Sequence, residues 1–117
     1  MAFKFENLKV WQRSIELSGE IYELTESFPK KEMYVLASQT QRASDSIALN
    51  IAEGSTGQTN PEFKRFLTIA LGSAIEVVCC LHLGKRRGII SEERFNYFYQ
   101  FLTELIKSIQ ALRNSIK

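Results

Sequence analysis

The chain has 117 residues, 44% of them apolar and 24% charged, which predicts a single domain over residues 1–117 with a core that needs no disulfide or metal. The formal net charge of +2 does not indicate nucleic-acid binding by itself, because that inference requires a concentrated basic patch. We find no uninterrupted apolar run near the roughly 18 residues of a membrane span and no signal peptide, and we therefore expect a cytoplasmic protein without membrane contact.

The first predicted helix runs from about Leu8 to Ser27, with Asn7 as its N-cap, and Pro29 prevents its continuation. Apolar residues recur at helical spacing and form a broad face for burial. They are Val10, Leu17, Ile21, Leu24 and Phe28, with Trp11, Ile15 and Tyr22 beside them. Four glutamates give the same helix a concentration of negative charge. They are Glu16, Glu20, Glu23 and Glu26.

The second predicted helix begins at Lys31 or Glu32 and ends at Glu53, with Gly54 in the left-handed position that often follows a helix. A seam of polar residues falls within roughly 80° of its circumference, flanked by apolar residues. The seam consists of Gln39, Arg42, Ser46, Asn50 and Glu53. It predicts a hydrogen-bonded network in a helix contact, within one subunit or between subunits, and a ligand site is the alternative. A buried Arg42 would require a nearby acid, for which the candidates are Glu53, Asp45 and Glu76.

The third predicted helix starts with Asn60 as N-cap, followed by Pro61 in its first turn. Its apolar residues cover roughly 240° of the circumference, whereas a helix with one buried side needs about 100°. We expect the excess to be buried against another subunit, and we expect Gly72 and Ser73 to permit a neighbouring backbone to approach closely. The helix ends at Gly84 or Gly88. Gly88 is preferred, because the three basic residues before it would then interact favourably with the helix dipole.

The fourth predicted helix is capped by Ser91 and carries an apolar seam whose members are separated alternately by three and four residues. The seam comprises Phe95, Phe98, Leu102, Leu105, Ile109, Leu112 and Ile116. Four helices joined by short connections predict an all-α, antiparallel up-down-up-down four-helix bundle.

No pattern of residues indicates catalysis. A di-metal bundle requires Glu-x-x-His pairs, but the only histidine, His82, follows Cys79 at that spacing. Cys79 and His82 could share a helix face as two metal ligands, although further ligands are lacking, and we interpret the adjacent Cys79 and Cys80 as reduced, buried thiols. We predict a protein that is not an enzyme and that has no cofactor or metal.

Five sequence segments spread over most of the chain carry a family resemblance. The central segment is Gln39-x-x-Arg42-Ala43-x-x-Ser46-Ile47-x-x-Asn50-Ile51-Ala52-Glu53-Gly54. The others are Phe5-x-x-Leu8-x-Val10-Trp11, Phe28-Pro29-x-x-Glu32, Glu62-Phe63-x-x-Phe66-Leu67 and Gly72-Ser73-x-x-Glu76. The chain resembles the bacterial four-helix-bundle proteins encoded in intervening sequences of 23S ribosomal RNA, which look similar to accessory proteins of diversity-generating retroelements. The resemblance implies a ring-shaped homopentamer that binds nucleic acid and has no established catalysis.

Many of these relatives carry a second basic residue beside the motif arginine, where this chain has Gln41, and a basic linker where residues 55–59 are uncharged. The remaining candidates for contact with RNA phosphates lie near the two ends of the third helix. They are Lys64, Arg65, Lys85, Arg86 and Arg87. The leading hypothesis is a cytoplasmic homo-oligomer whose repeated basic surface binds RNA, with a structural network of Gln39, Arg42, Ser46, Asn50, Glu53 and Glu76. The alternative is a protein-interaction scaffold that binds no nucleic acid.

Overall fold

Four α-helices make up the computed structural model, which describes residues 3–57 and 59–117. Met1, Ala2 and Gln58 lie outside the described residues. The helices are α1 (Lys9–Glu26), α2 (Ser38–Gly54), α3 (Asn60–Arg86) and α4 (Glu92–Ser115). The described residues contain no strand, and the prediction of an all-α chain is confirmed.

The helices enclose one apolar core. α1 contacts α2 and α4, and α3 contacts the same two helices, so α1 and α3 occupy opposite corners of the bundle. The central apolar stripe predicted for α1 is buried, as is the α4 seam from Phe95 to Ile109. The face of α1 is narrower than predicted, because Ile15 and Tyr22 beside the stripe are 45% and 55% exposed. The last two seam residues, Leu112 and Ile116, are only half-buried. The periodicity therefore identified the sides of α1 and α4 that face the core.

The start of the chain differs from the prediction, because Asn7 closes a 3-10 turn (Lys4–Asn7) and does not cap α1. Leu8 is the N-cap, and its side chain makes no capping hydrogen bond. The turn is stabilised by local hydrogen bonds: the Phe3 amide donates to Glu6 Oε1 at 2.8 Å, and Gln12 Nε2 donates to the Glu6 carbonyl oxygen at 2.8 Å. These bonds fix the turn geometry before α1 begins.

The segment before α2 is less regular than the continuous helix that was predicted. A 3-10 turn (Lys30–Glu32) leads into a π-helical turn (Met33–Ala37), and the α-helix begins only at Ser38. The Glu32 carboxylate accepts a long hydrogen bond of 3.4 Å from the Leu36 amide. The π turn leaves Tyr34 88% exposed, and this tyrosine belongs to the outer surface of the bundle.

The glycines at the helix ends have different roles. Gly54 was predicted in the left-handed conformation, but the described glycines with positive φ are Gly57 and Gly88, at 91° and 76°. Gly54 is instead the buried last residue of α2, where its lack of a side chain allows α3 to approach. The prediction that α3 ends before Gly88 is confirmed, because Arg87 is its C-cap.

The caps of the last two helices follow the expected chemistry with a shift of one residue. The Thr59 hydroxyl accepts from the Glu62 amide at 3.3 Å, so Thr59 is the N-cap of α3 and the predicted cap, Asn60, is its first helical residue. Ser91 caps α4 as predicted, with its hydroxyl accepting from the Arg94 amide at 3.1 Å.

The expectation that no segment approaches a membrane span is corrected by α3, which is long and apolar enough by length and composition to cross a bilayer. Its most apolar 18-residue window is 39% buried within the bundle. Core helices of soluble proteins also meet this criterion, but such helices are mostly buried, whereas most of this window is not buried within the subunit. In this bundle α3 contacts both α2 and α4.

Candidate functional site

The predicted polar seam lies along the contact between α2 and α3. Ser46 Oγ and Ser73 Oγ are 2.8 Å apart, and the Asn50 amide donates to the Ser46 carbonyl oxygen and hydroxyl at 2.8 and 2.9 Å. These half-buried groups join the two helices within one subunit. Ser73 was expected only to let a neighbouring backbone approach, because its hydroxyl finds the Ser46 partner only once α3 lies against α2.

Two further members of the seam border an open groove of about 660 Å³ beside this hydrogen-bonded centre. Gln39, Arg42 and Glu76 line the groove, together with Tyr34 and Val35. Arg42 is exposed and forms no ion pair with any residue that the structure describes. Its charge therefore needs no buried acid within the subunit. The guanidinium group at the groove is therefore not engaged by an acid among the described residues.

Glu53, the last predicted member of the seam, is exposed and is not among the residues that line the groove. Its carbonyl oxygen accepts a hydrogen bond of 2.8 Å from the Thr56 hydroxyl. Glu53 therefore contributes through its backbone to the turn that follows α2. The structure joins Ser46 and Asn50 directly and leaves the side chains of Gln39, Arg42 and Glu76 along the groove.

The five predicted basic residues form two clusters, one at each end of α3 as the sequence indicated. Lys64 and Arg65 lie in the first turns of α3, and the other three lie at its C-terminal end, about 30 Å away at the rise of an α-helix. Arg65 is paired with Glu62, with its Nη2 3.0 Å from Oε1, and its guanidinium group lies 4.6 Å from the centre of the Phe66 ring. Arg65 is thus held against its own helix.

The C-terminal cluster of α3 is partly neutralised by acids of neighbouring segments. Lys85 Nζ lies 3.6 Å from Glu92 Oε1, and Arg87 Nη1 lies 3.2 Å from Glu32 Oε1. Arg86 is exposed and forms no ion pair within residues 3–57 and 59–117. Of these three basic residues, Arg86 is the one whose charge is least compensated within the subunit.

Three further basic residues, missed by sequence analysis, share this end of the bundle. Lys30 and Lys31 precede Glu32, which pairs with Arg87, and the guanidinium group of Arg94 lies 3.5 Å from Ser27 Oγ at the end of α1. We call this surface the basic end. It consists of Lys30, Lys31, Lys85, Arg86, Arg87 and Arg94. The Lys-Lys pair before the second helix was the available signal, but its proximity to α3 depends on how the chain folds back.

Glutamates also occur at the basic end, so its positive charge is not continuous. Glu32 and Glu92 form the two ion pairs described above, while Glu26 and Glu93 are exposed near the same connections. Lys30, Lys31 and Arg86 make no ion pair with a described residue. Arg94 also makes no ion pair with a described residue, but its guanidinium group lies 3.5 Å from Ser27 Oγ. Lys30, Lys31 and Arg86 are therefore the groups at this end that are most available to a phosphate.

The two cysteines differ in environment, contrary to the expectation that both are buried. Cys79 is exposed on α3, whereas Cys80 is buried, and burial raises the pKa of the Cys80 thiol. The exposed His82 ring packs edge-on against Phe95, with 4.9 Å between the ring centres. Within the described part of the chain, no cluster of three or more histidine, cysteine, aspartate or glutamate residues could hold a metal ion.

Comparison with known proteins supports the architecture over almost the whole chain. A family model described as 23S rRNA-intervening sequence protein matches residues 6–111. A crystal structure of a protein of unknown function from the S23 ribosomal protein family of Bacteroides thetaiotaomicron VPI-5482 is 27% identical, with a TM-score of 0.83. The match covers 90% of this chain and 95% of that one. No curated protein matches the chain.

Proposed function

The chain belongs to the 23S rRNA-intervening sequence protein family, and from that membership and the basic end we propose that it is a non-enzymatic homo-oligomer that binds RNA through phosphate contacts. The proposal includes an up-down-up-down bundle, assembly as a pentamer and a cytoplasmic location without membrane contact. The observation that carries it is the convergence of Lys30, Lys31 and Arg86, from separate parts of the chain, on one end of the bundle without ion-pair partners among the described residues.

Three available cations per subunit are too few for tight binding by a monomer, because affinity for a polyanion grows with the number of phosphates neutralised. Assembly changes this. In a symmetric ring each basic end recurs once per subunit, and contacts made by several subunits to one RNA act at a high effective concentration. The proposal therefore makes RNA binding dependent on assembly. It also predicts shape and charge recognition, because phosphate contacts carry no sequence information directly.

A protein-interaction scaffold is the second candidate, and a separate observation favours it. Large apolar side chains are exposed on the outer surface of the bundle, among them Leu49 at 67% and Ile75 at 60%. Exposed apolar side chains that form a contiguous patch indicate a protein contact. A scaffold would use these side chains and would leave the charge of the basic end as ordinary solvation. The two candidates differ in whether the purified protein binds RNA.

Salt-titrated binding to an RNA hairpin and to a DNA duplex tests the proposal. Phosphate contact predicts affinity for RNA that falls steeply with salt concentration. The triple variant Lys30→Ala, Lys31→Ala, Arg86→Ala is expected to weaken binding and flatten the salt dependence. The matched control is Lys9→Ala, Lys107→Ala, Lys117→Ala, which removes the same charge away from the basic end and is expected to bind nearly as the parent does. Absence of RNA binding at low salt would favour the scaffold.

A further inference from the structure

The outer side of α3 is apolar where it faces away from the core. Ile69, Ile75 and Leu83 are 39%, 60% and 39% exposed, and the exposed Gly72 lies among them. Arg42 borders the adjoining groove. We call this surface the α3 face, and it consists of Arg42, Ile69, Gly72, Ile75, Glu76 and Leu83. Burying the three apolar side chains would be favourable, and within the subunit they remain exposed.

The outer side of α1 has a different character. Glu16, Glu23 and Glu26 are exposed there, next to Tyr22, which is 55% exposed, and Ile15, which is 45% exposed. We call this surface the α1 face, and it consists of Ile15, Glu16, Gly19, Tyr22, Glu23 and Glu26. Glu23 and Glu26 form no ion pair with a described residue. The α1 face therefore combines apolar side chains with uncompensated negative charge.

Each face contains a mid-helix glycine that the fold of the subunit does not use. A Cβ atom built on Gly19 or on Gly72 meets nothing within 4 Å, and both glycines are exposed. Glycine destabilises a helix interior relative to alanine, so at both positions the subunit alone would be more stable with alanine. A glycine on an outer helix surface permits another backbone to approach closely. Both faces thus have an exposed mid-helix glycine, which is typical of helices that pack closely against each other.

We propose that the α3 face of one copy of this chain docks on the α1 face of a second copy, with the helices crossing near Gly72 and Gly19. Arg42 supplies a cation opposite the three glutamates of the α1 face and offsets the charge of Glu76, so the α3 face carries no net charge, while the apolar side chains of both faces are buried. Pairing of two α1 faces would instead bring like charges together, which disfavours that arrangement. The inference rests on the self-association in the proposed function and specifies its geometry.

Docking of unlike faces has a consequence for assembly. α1 and α3 occupy opposite corners of the bundle, so a copy bound through its α3 face still presents a free α1 face. Such head-to-tail contacts close into a ring when the rotation between copies allows it, and they form a filament otherwise. A symmetric dimer, by contrast, would use the same surface on both copies.

Two matched variants test the geometry, because each blocks one face. Gly19→Gln places a long side chain on the α1 face, and Gly72→Gln does the same on the α3 face. Both positions are open within the subunit, so each variant is expected to keep the helical circular dichroism of the parent. Each variant alone is expected to be a monomer in light scattering. An equimolar mixture is expected to form a 1:1 dimer and nothing larger, because only one pair of intact faces remains.

The alternative outcomes overturn the inference in distinguishable ways. A parent chain that is monomeric at all concentrations would remove both the inference and the self-association in the proposed function. A parent oligomer whose size is unchanged in both variants would remove the inference alone. The same holds if either variant forms a dimer by itself, since that result would indicate pairing of like faces.

Charge reversal provides a second measurement with the fold intact. Arg42→Glu and Glu23→Arg are each expected to weaken association by about tenfold or more, the size of change that one desolvated charge contact produces. The double variant Arg42→Glu, Glu23→Arg is expected to recover part of this affinity. A double variant that associates as weakly as the product of the two single effects would overturn the pairing of these faces.

Discussion

Gly54 of α2 lies so close to Phe66 of α3 that a Cβ atom on Gly54 would be 2.6 Å from Phe66 Cβ. Phe66 Cβ is attached to the backbone and cannot swing aside, so Gly54→Ala would force the two helices apart. We expect a loss of about 1–3 kcal/mol in the free energy of unfolding, the usual cost of overpacking. Alanine's higher helix propensity, worth about 1 kcal/mol, offsets part of this cost. Urea denaturation measures the net change.

Gly72→Ala is the matched control for the Gly54 variant, because it makes the same substitution in a helix with nothing within 4 Å. At protein concentrations where the chain is monomeric, it is expected to raise the free energy of unfolding by about 0.5–1 kcal/mol. The two variants therefore have opposite signs. A decrease in stability of similar size in both would contradict the close packing at Gly54.

The hydrogen bond between Ser46 and Ser73 is the next prediction, because it joins α2 to α3 at a half-buried position. A double-mutant cycle with Ser46→Ala and Ser73→Ala is expected to give a coupling energy of about 0.5–1.5 kcal/mol. Arg42→Ala, in the same groove but exposed, is expected to change the unfolding free energy of the monomer by less than about 0.5 kcal/mol. If the Arg42 variant were strongly destabilised and the two serines showed no coupling, Arg42 and not the serine pair would be the residue that stabilises the contact between α2 and α3.

Features of the fold that depend on local spacing could be predicted from the sequence, and features that depend on contacts between distant residues could not. The α4 seam from Phe95 to Ile109 and the Ser91 cap depend on spacing and local hydrogen bonding, and both are as predicted. The role of Gly54 was predicted incorrectly, because its buried position depends on where α3 passes. Local sequence contains no information on that distance. The same applies to Ser73, whose partner is 27 residues away.

The candidate site was harder to predict than the fold. A helical wheel places Arg42 among apolar neighbours but does not say which side of α2 a third helix covers, and Arg42 is exposed. Lys30 and Lys31 reach the C-terminal end of α3 only through the return of the chain that pairs Glu32 with Arg87. A cluster of positive charge that forms only when distant segments fold together cannot be found by searching the sequence for consecutive basic residues. The exposure of Arg42 and the proximity of Lys30 and Lys31 to the end of α3 are therefore known only from the structure.

The different environments of Cys79 and Cys80 predict different reactivity toward iodoacetamide. Cys80 is buried and its pKa is raised, which lowers its thiolate fraction at pH 8 relative to an ordinary thiol, whereas Cys79 is exposed. We expect Cys79 to be alkylated first, as peptide mass spectrometry would show. The pKa of Cys80 is higher in the folded state, so deprotonation of this thiol opposes folding. The contribution of the protonated thiol to the free energy of unfolding is present below pH 9.0 and is lost as the pH rises further.

Cys79 also reports on assembly, because it lies on the outer side of α3 between Gly72 and Leu83. If the α3 face is covered in the oligomer, the rate of Cys79 alkylation is expected to fall as protein concentration rises. The Gly72→Gln variant is the control, since it should stay monomeric and react at a rate independent of concentration. Equal rates for Cys79 in dilute and concentrated parent protein would indicate that this face stays open.

Arg86 and Arg87 are adjacent but differ in their partners, which separates RNA binding from stability. Arg87 contacts both carboxylate oxygens of Glu32, at 3.2 and 3.3 Å, whereas Arg86 has no ion-pair partner among the described residues. Arg87→Ala is expected to lower the free energy of unfolding by up to about 1 kcal/mol, the range for a partly exposed ion pair. Arg86→Ala is expected to leave it within about 0.5 kcal/mol of the parent.

The two variants should rank in the opposite order in their effect on RNA binding. Arg86 can bind a phosphate without breaking an ion pair, so Arg86→Ala is expected to weaken binding more than Arg87→Ala does. It should also reduce the slope of log K against log salt by about 0.9 for each duplex phosphate that the variant no longer neutralises. Fluorescence anisotropy at four salt concentrations measures both quantities. If Arg87→Ala proved the more damaging to binding while leaving stability unchanged, the Glu32 pair would not hold in solution and the assignment of available cations at the basic end would have to change.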